Sequence, residues 1–175
     1  MIIGLPRGEV RVVPYQPGWK ELYQEEAKLL RSVLKDRVLH LEHIGSTAIV
    51  GLDAKPIIDL MVAVHNLNET RILLPDLEQL GYEFRPDEPL PDRLYFAKGP
   101  REVRTHHLSI TEFSSAFYTN QLLFRDYLRA HPSVAEEYRE LKKNLAELYP
   151  TQRPLYTEGK TAFVERVLEL TRTTK

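Results

Sequence analysis

One stretch of the chain gathers residues able to do chemistry: His43-Ile-Gly-Ser-Thr-Ala-Ile-Val-Gly-Leu-Asp-Ala-Lys-Pro-Ile-Ile-Asp59. Gly45 permits a tight turn and close approach of the backbone to a ligand. Ser46 is then expected to open a helix, where N–H groups and a hydroxyl can hold a phosphate. Asp59 interrupts an otherwise apolar run. A lone carboxylate is costly to bury, so it needs a hydrogen-bonding partner or a cation. Lys55 lies between the two and can neutralise either a phosphate or Asp59. A phosphate-holding turn beside a carboxylate on the next strand is a metal–triphosphate arrangement. A plain strand turn, with Asp59 satisfied by amides or by Lys55, uses the same residues without a ligand.

Three further positions break an apolar pattern. Alternation over Val103–Thr111 puts His107 and Ser109 on one face and Leu108 and Ile110 on the other. Leu108 and Ile110 are expected to face the core, and His107 a groove, as a ligand or acid–base group. Tyr156, Lys160, Phe163, Val167 and Leu170 fall at helical spacing on one stripe, so Lys160 is expected to point inward. An inward lysine needs an anion: Asp59, another carboxylate or a bound phosphate. Glu26 sits on the apolar stripe of the first helix and wants a cation, for which Lys160 and Arg125 are candidates.

These residues need a frame. Pro17-Gly18-Trp19 opens a helix to about Leu34. Strands are expected at Val10–Val13, Val38–Ile44, Pro56–Val64, Tyr82–Arg85, Arg93–Lys98 and Val103–Thr111, with Pro56–Val64 buried and central. Glu69–Leu80 reads as a helix stopped by Gly81, with Pro75 inside it. Beyond Thr111 the chain is helical. Ser114 or Ser115 caps one helix. Ser133 and Glu136 form a capping box for a second, whose stripe is Val134, Tyr138, Leu141, Leu145 and Leu148 and which ends at Pro150. A third runs from about Leu155 to Thr171. The expected fold is α+β (mixed α/β), a mixed sheet flanked by helices with a helical C-terminal third, forming a single domain over 1–175.

Composition narrows the partners. The net charge of −1 argues against a dedicated nucleic-acid binder while leaving room for a local basic site. Cysteine is absent, so thiolate catalysis and Cys-zinc sites are excluded. No apolar run is long enough to span a bilayer, and Met1–Val10 lacks the apolar core of a secretory signal. A cytoplasmic location with no membrane partner is expected.

The stretch from His43 to Asp59 resembles the signature of GrpB-like proteins, within the nucleotidyltransferase-fold superfamily. The resemblance runs from Trp19 through Phe163. It includes Arg104-Thr-His-His-Leu108, Phe124-Arg-Asp-Tyr-Leu-Arg-Ala-His-Pro132 and Tyr156-Thr-Glu-Gly-Lys160. It implies a nucleotidyltransferase-like sheet and a nucleoside triphosphate held with Mg²⁺, whose nucleotidyl group passes to a small molecule or protein. Ser46 and Gly45 would contact the triphosphate and Asp59 the metal. Lys55 and Lys160 would neutralise phosphate, with His107 and Tyr156 nearby. The chain departs from the superfamily pattern at Met61, where a second metal carboxylate would stand; Glu42 or Glu112 would have to replace it. Val50 stands where the family usually carries proline, and Ser109 breaks an expected His-x-His. The alternative is an accessory module without catalysis that binds a phosphorylated ligand or a partner protein, as in fusions of such sequences to dephospho-CoA kinase.

Overall fold

The computed structural model describes residues 1–86 and 92–173. The part of the proline-rich stretch at 87–91, with Pro89 and Pro91, lies outside them. The strands are β1 (Leu5–Pro6), β2 (His40–Ile44), β3 (Ile58–Val64), β4 (Tyr82–Phe84), β5 (Arg93–Lys98), β6 (Val103–Arg104) and β7 (His106–Glu112). The α-helices are α1 (Gly18–Leu34), α2 (Leu74–Gln79), α3 (Ala116–Ala130), α4 (Pro132–Leu148), α5 (Arg153–Glu158) and α6 (Thr161–Thr173). The main sheet runs β2-β3-β7-β5-β4; β3 and β7 are parallel and the other neighbours antiparallel. β1 and β6 form a separate two-stranded ribbon.

β3 lies inside the sheet and is apolar on both faces, as its composition requires. Ile58, Leu60, Val62 and Val64 join Trp19, Leu30 and Leu34 of α1 and Leu108 and Ile110 of β7 in the principal core. Met61 and Ala63 face the other way and pack with Ile44 and Tyr118 of α3. Asp59 shares that second face. The sheet therefore separates an apolar layer under α1 and α2 from a face covered by the C-terminal helices.

Several expectations change. Val10–Val13 is not a strand: only Val13 bridges, to Ala54, because Pro14 has no N–H to extend the ladder. The Glu69–Leu80 segment divides into a 3₁₀ turn over Leu67–Leu73 and α2, with Pro75 in the first turn of α2, where a missing N–H costs nothing. Ser115 caps α3, its hydroxyl accepting from the Tyr118 N–H at 3.0 Å. Ser133 does not cap α4. That helix starts at Pro132 with His131 at the N-cap and no side-chain cap. The expected last helix is broken at Gly159 and Lys160 into α5 and α6. A Cβ at Gly159 would lie 2.5 Å from Leu145 Cδ2, so α4 packs closely on the break and Leu145 would have to shift for any side chain there.

Candidate functional site

β2 ends at Ile44, and the next residues turn sharply. Gly45 has φ +69° and ψ −174°, followed by a 3₁₀ turn over Ser46–Ala48. The expected helix opening at Ser46 is this single turn, too short to act through a helix dipole. Two contacts hold it. Thr47 Oγ1 donates to the Ile57 carbonyl at 3.3 Å and lies 3.0 Å from His43 Nε2. Arg129 grips the Ala48 carbonyl at 2.8 Å from the other side. Burial pushes the His43 imidazole down to about 4, with Asp59 opposing, so His43 is a neutral strut for the turn.

Strand register supplies the chemistry opposite the turn. Asp59 pairs with Ile44 on one side and His107 on the other, which puts both polar side chains on the same face. His107 Nδ1 donates to Asp59 Oδ1 at 3.1 Å. A Cβ on Gly45 would sit 2.5 Å from Asp59 Oδ2. Gly45→Ala combines that clash with a positive φ, so a loss of at least ~2 kcal/mol in urea unfolding is expected. An unchanged midpoint would show that the turn relaxes freely.

The helical third closes over this face. A cavity of about 260 Å³ is lined by Gly45, Ser46, Lys55, Asp59, His107 and Lys160, the residues singled out from the sequence. Tyr156, a supporting candidate, is buried in its wall, and its ring carries Lys160 Nζ at 4.6 Å and Lys55 Nζ at 5.2 Å. Thr47 and Ile57 also line it, as do Lys142, Arg153, Tyr138 and Thr157, four residues that sequence reasoning did not assign to the site. Lys142 had a signal. It follows Tyr138 by four residues and precedes Leu145 by three, on the inward stripe. It is 2% exposed, whereas Leu148, assigned to that stripe, is 68% exposed. Arg153 precedes a proline at a helix start and had no readable signal.

The cavity is cationic: Lys55, Lys142, Arg153 and Lys160 face one carboxylate, Asp59. Lys142 donates to the Asp53 carbonyl. Lys55, Arg153 and Lys160 have no carboxylate within ion-pair distance among the described residues. Burial pulls Lys55 down to about 7, helped by Arg153 and Lys160 and opposed by Asp59. Burial likewise brings Lys142 to about 7 and Lys160 to about 8. Asp59 shows the opposite balance. Burial raises its carboxyl, but the His107 hydrogen bond first, and then the positive groups facing it, chiefly His107 and Lys55, outweigh that and hold it below the ordinary range. Although enclosed by protein, the Asp59 side chain is 37% accessible through the cavities it lines. Burial pushes the Tyr138 phenol up; the adjacent Ser46 hydroxyl offsets part of this.

Four supporting candidates are placed elsewhere. Glu26 lies on the α1 face of the sheet and pairs with Lys98 at 2.8 Å, not with Lys160 or Arg125. Glu42 shares the Asp59 face and stands opposite Met61, but Arg125 holds it at 2.7 Å. Arg125 also binds the His43 carbonyl and Asp126, so it is a fastener between α3 and β2. Glu112 closes the far end of β7, accepting from the Leu67 N–H, and cannot reach Asp59. Among the described residues, no three His, Asp or Glu side chains are gathered to hold a metal ion. One carboxylate already bound to an imidazole and faced by four cations does not make a resident Mg²⁺ site.

A mixed sheet capped by helices around a cation-lined cavity is the class of protein that the structure defines. The profile of the GrpB protein family matches residues 9–170, and the chain belongs to that family. The glutamate-rich protein GrpB of Alkalihalophilus pseudofirmus is 36% identical over 95% of this chain and 98% of its own length. A UPF0157 protein of Pseudomonas aeruginosa is 41% identical over 91% of this chain, which spans 66% of that relative. The crystal structure of the conserved protein GrpB from Enterococcus faecalis superposes with a TM-score of 0.86 at 39% identity, covering 94% of this chain and 98% of that one. Among the described residues, no helix is long and apolar enough to cross a membrane.

Proposed function

We propose that this protein binds a phosphorylated small molecule, with a nucleoside triphosphate the leading candidate, in the cavity between the Gly45–Ser46 turn and α4–α6. One observation carries the reading: Lys55, Arg153 and Lys160, each half-buried, line the same cavity with no carboxylate partner among the described residues. Burying like charges together costs several kcal/mol per ion unless a counter-ion joins them. A phosphate group supplies several acceptor oxygens and the missing negative charge. Ser46 and Thr157 add hydroxyl donors, and Tyr156 carries the two lysine stems.

Nucleotidyl transfer is the second reading, and it too has an observation in its favour. The Asp59–His107 pair is flanked on its other side by a second cavity of about 230 Å³, lined also by Tyr95, Ser109, Phe117 and Gln121. An acid–base pair between a phosphate pocket and another pocket suits transfer between two substrates. A Mg²⁺ arriving with the triphosphate would find Asp59 as its protein carboxylate and would offset phosphate charge.

Thermal shift with tripolyphosphate and ATP, each with and without Mg²⁺, separates the two. Ligand at ten times its dissociation constant adds about 1.4 kcal/mol, or roughly 3–6 °C. Simple phosphate binding predicts a shift without Mg²⁺. Asp59→Asn should then bind at least as tightly, because the one carboxylate lining the cavity among the described residues is gone. Transfer predicts a shift that needs Mg²⁺ and loses that need in Asp59→Asn. No shift with either probe at millimolar ligand overturns both readings.

A further inference from the structure

Arg153 lines a second space as well. On its far side, and across Ile57, lies an open cleft of about 660 Å³ lined, among the described residues, by Arg7, Arg101, Arg104 and Arg153, by the partnered Arg85 and by two glutamates. Its floor is the β1–β6 ribbon. Gly4, with φ +90°, lies so close to that ribbon that a Cβ would fall 2.7 Å from Val103 Cγ1. The Arg7 N–H donates to the Glu102 carbonyl at 2.8 Å, fixing the start of the cleft wall. Among the described residues, both glutamates of the lining are already engaged. Glu9 is held by Arg11 at 3.3 Å. Glu83 is shared by Arg101, at 3.2 Å, and Arg104. Arg7 and Arg153 have no carboxylate within ion-pair distance among the described residues. The positive surface of the Lys55–Lys160 cavity therefore continues past Arg153 into an arginine-rich cleft.

We propose that the ligand is an elongated small-molecule polyanion. One phosphate segment enters the lysine cavity, a second lies in the cleft, and Arg153 contacts both. The proposal rests on the phosphate reading of the lysine cavity and adds to it the length and charge distribution of the ligand. The guanidinium fork suits phosphate oxygens better than a lysine ammonium does, since it can present two parallel donors. Lysines line the smaller cavity, where a compact ammonium fits, and arginines line the larger cleft. Arg101 can turn from its shared Glu83 to an incoming phosphate, because that carboxylate keeps Arg104. Arg104 itself donates to the Gly99 carbonyl at 2.7 Å and holds the wall in place.

The test is calorimetric titration with inorganic tripolyphosphate and with longer linear polyphosphate. Three proteins are compared: the wild type, Arg7→Gln/Arg101→Gln, and the charge control Lys28→Gln/Arg31→Gln on the exposed face of α1. The wild type should bind the longer chain about tenfold more tightly than tripolyphosphate. The cleft variant should lose about that tenfold for the longer chain and keep its tripolyphosphate affinity. The control should change neither by more than about twofold. If tripolyphosphate binds but the cleft variant loses no more of the longer chain than the control does, the elongated-ligand proposal is overturned and the cavity reading stands. Equal loss of both probes in the cleft variant overturns it too, because the cleft would then be the primary site. If the wild type binds neither probe, both fall together.

Discussion

Raising the pH from about 6 to about 9 should weaken tripolyphosphate binding by two to three orders of magnitude. A phosphate needs the cavity lysines charged. Lys55 sits at about 7 and Lys160 at about 8. Recharging them at about pH 9 costs roughly a hundredfold for Lys55 and roughly tenfold for Lys160. Arg153 and Asp59 face both lysines, Lys160 acts on Lys55, and Lys142 faces the pair from α4. The ligand-free protein should respond in the opposite sense. In the unfolded chain these lysines titrate near 10.5, above their folded values. Below about pH 7 both states are charged and the folded protein carries the full cost of crowded cations. Between about pH 7 and about pH 10 the folded state releases protons that the unfolded state keeps, so stability rises with pH. Melting curves across that range should thus show a rising temperature without ligand and a shrinking ligand-induced increment. Lys55→Met should flatten both trends. An increment that does not change with pH would show that the lysines are not the phosphate contacts.

The second large effect concerns the other face of the sheet. Lys98 Nζ donates to both oxygens of Glu26, at 2.8 and 2.9 Å. The Glu26 side chain is 7% exposed and that of Lys98 22%. Breaking a fully buried pair costs about 3–5 kcal/mol. Lys98→Met strands the more buried partner, and a loss of about 3–5 kcal/mol is expected. Glu26→Ala leaves Lys98 with a route to water, so about 2–3 kcal/mol is expected. Glu26→Leu/Lys98→Met should recover most of the loss, because an apolar pair of similar volume carries no desolvation cost. Chemical denaturation of the three variants checks this. A double variant as unstable as Lys98→Met would show that packing around Tyr82, whose ring lies 5.3 Å from Lys98 Nζ, dominates instead.

Much of this was legible in the chain. Asp59 in an apolar strand, Glu26 on an apolar helix stripe and Lys160 on another each announced a charge with unfinished business. That follows from local periodicity: a helix stripe or strand face fixes which side chains turn inward. The α+β order of elements, the interior place of β3 (the middle strand is β7) and the closeness of the Gly45–Ser46 turn to Asp59 follow from the same patterns and from short connections. Lys142 was readable by the rule that singled out Glu26.

Periodicity says that a charge is buried and does not say what it meets. That Glu26 meets Lys98 rather than Lys160 was decided by β5 lying beside β7, which brings Lys98 under α1. That Glu42 is held by Arg125 rather than completing a carboxylate pair with Asp59 was decided by α3 crossing β2. The break at Gly159 turned a continuous helix into α5 and α6 and brought Arg153 to the wall shared by the lysine cavity and the arginine cleft. The sequence by itself determined which side chains must be buried and which segments carry them, because those depend on spacing of a few residues. Which charges face one another, and that none of the cavity's four cations has a carboxylate at ion-pair distance among the described residues, depends on contacts between segments far apart in the chain, and only the tertiary structure decided it.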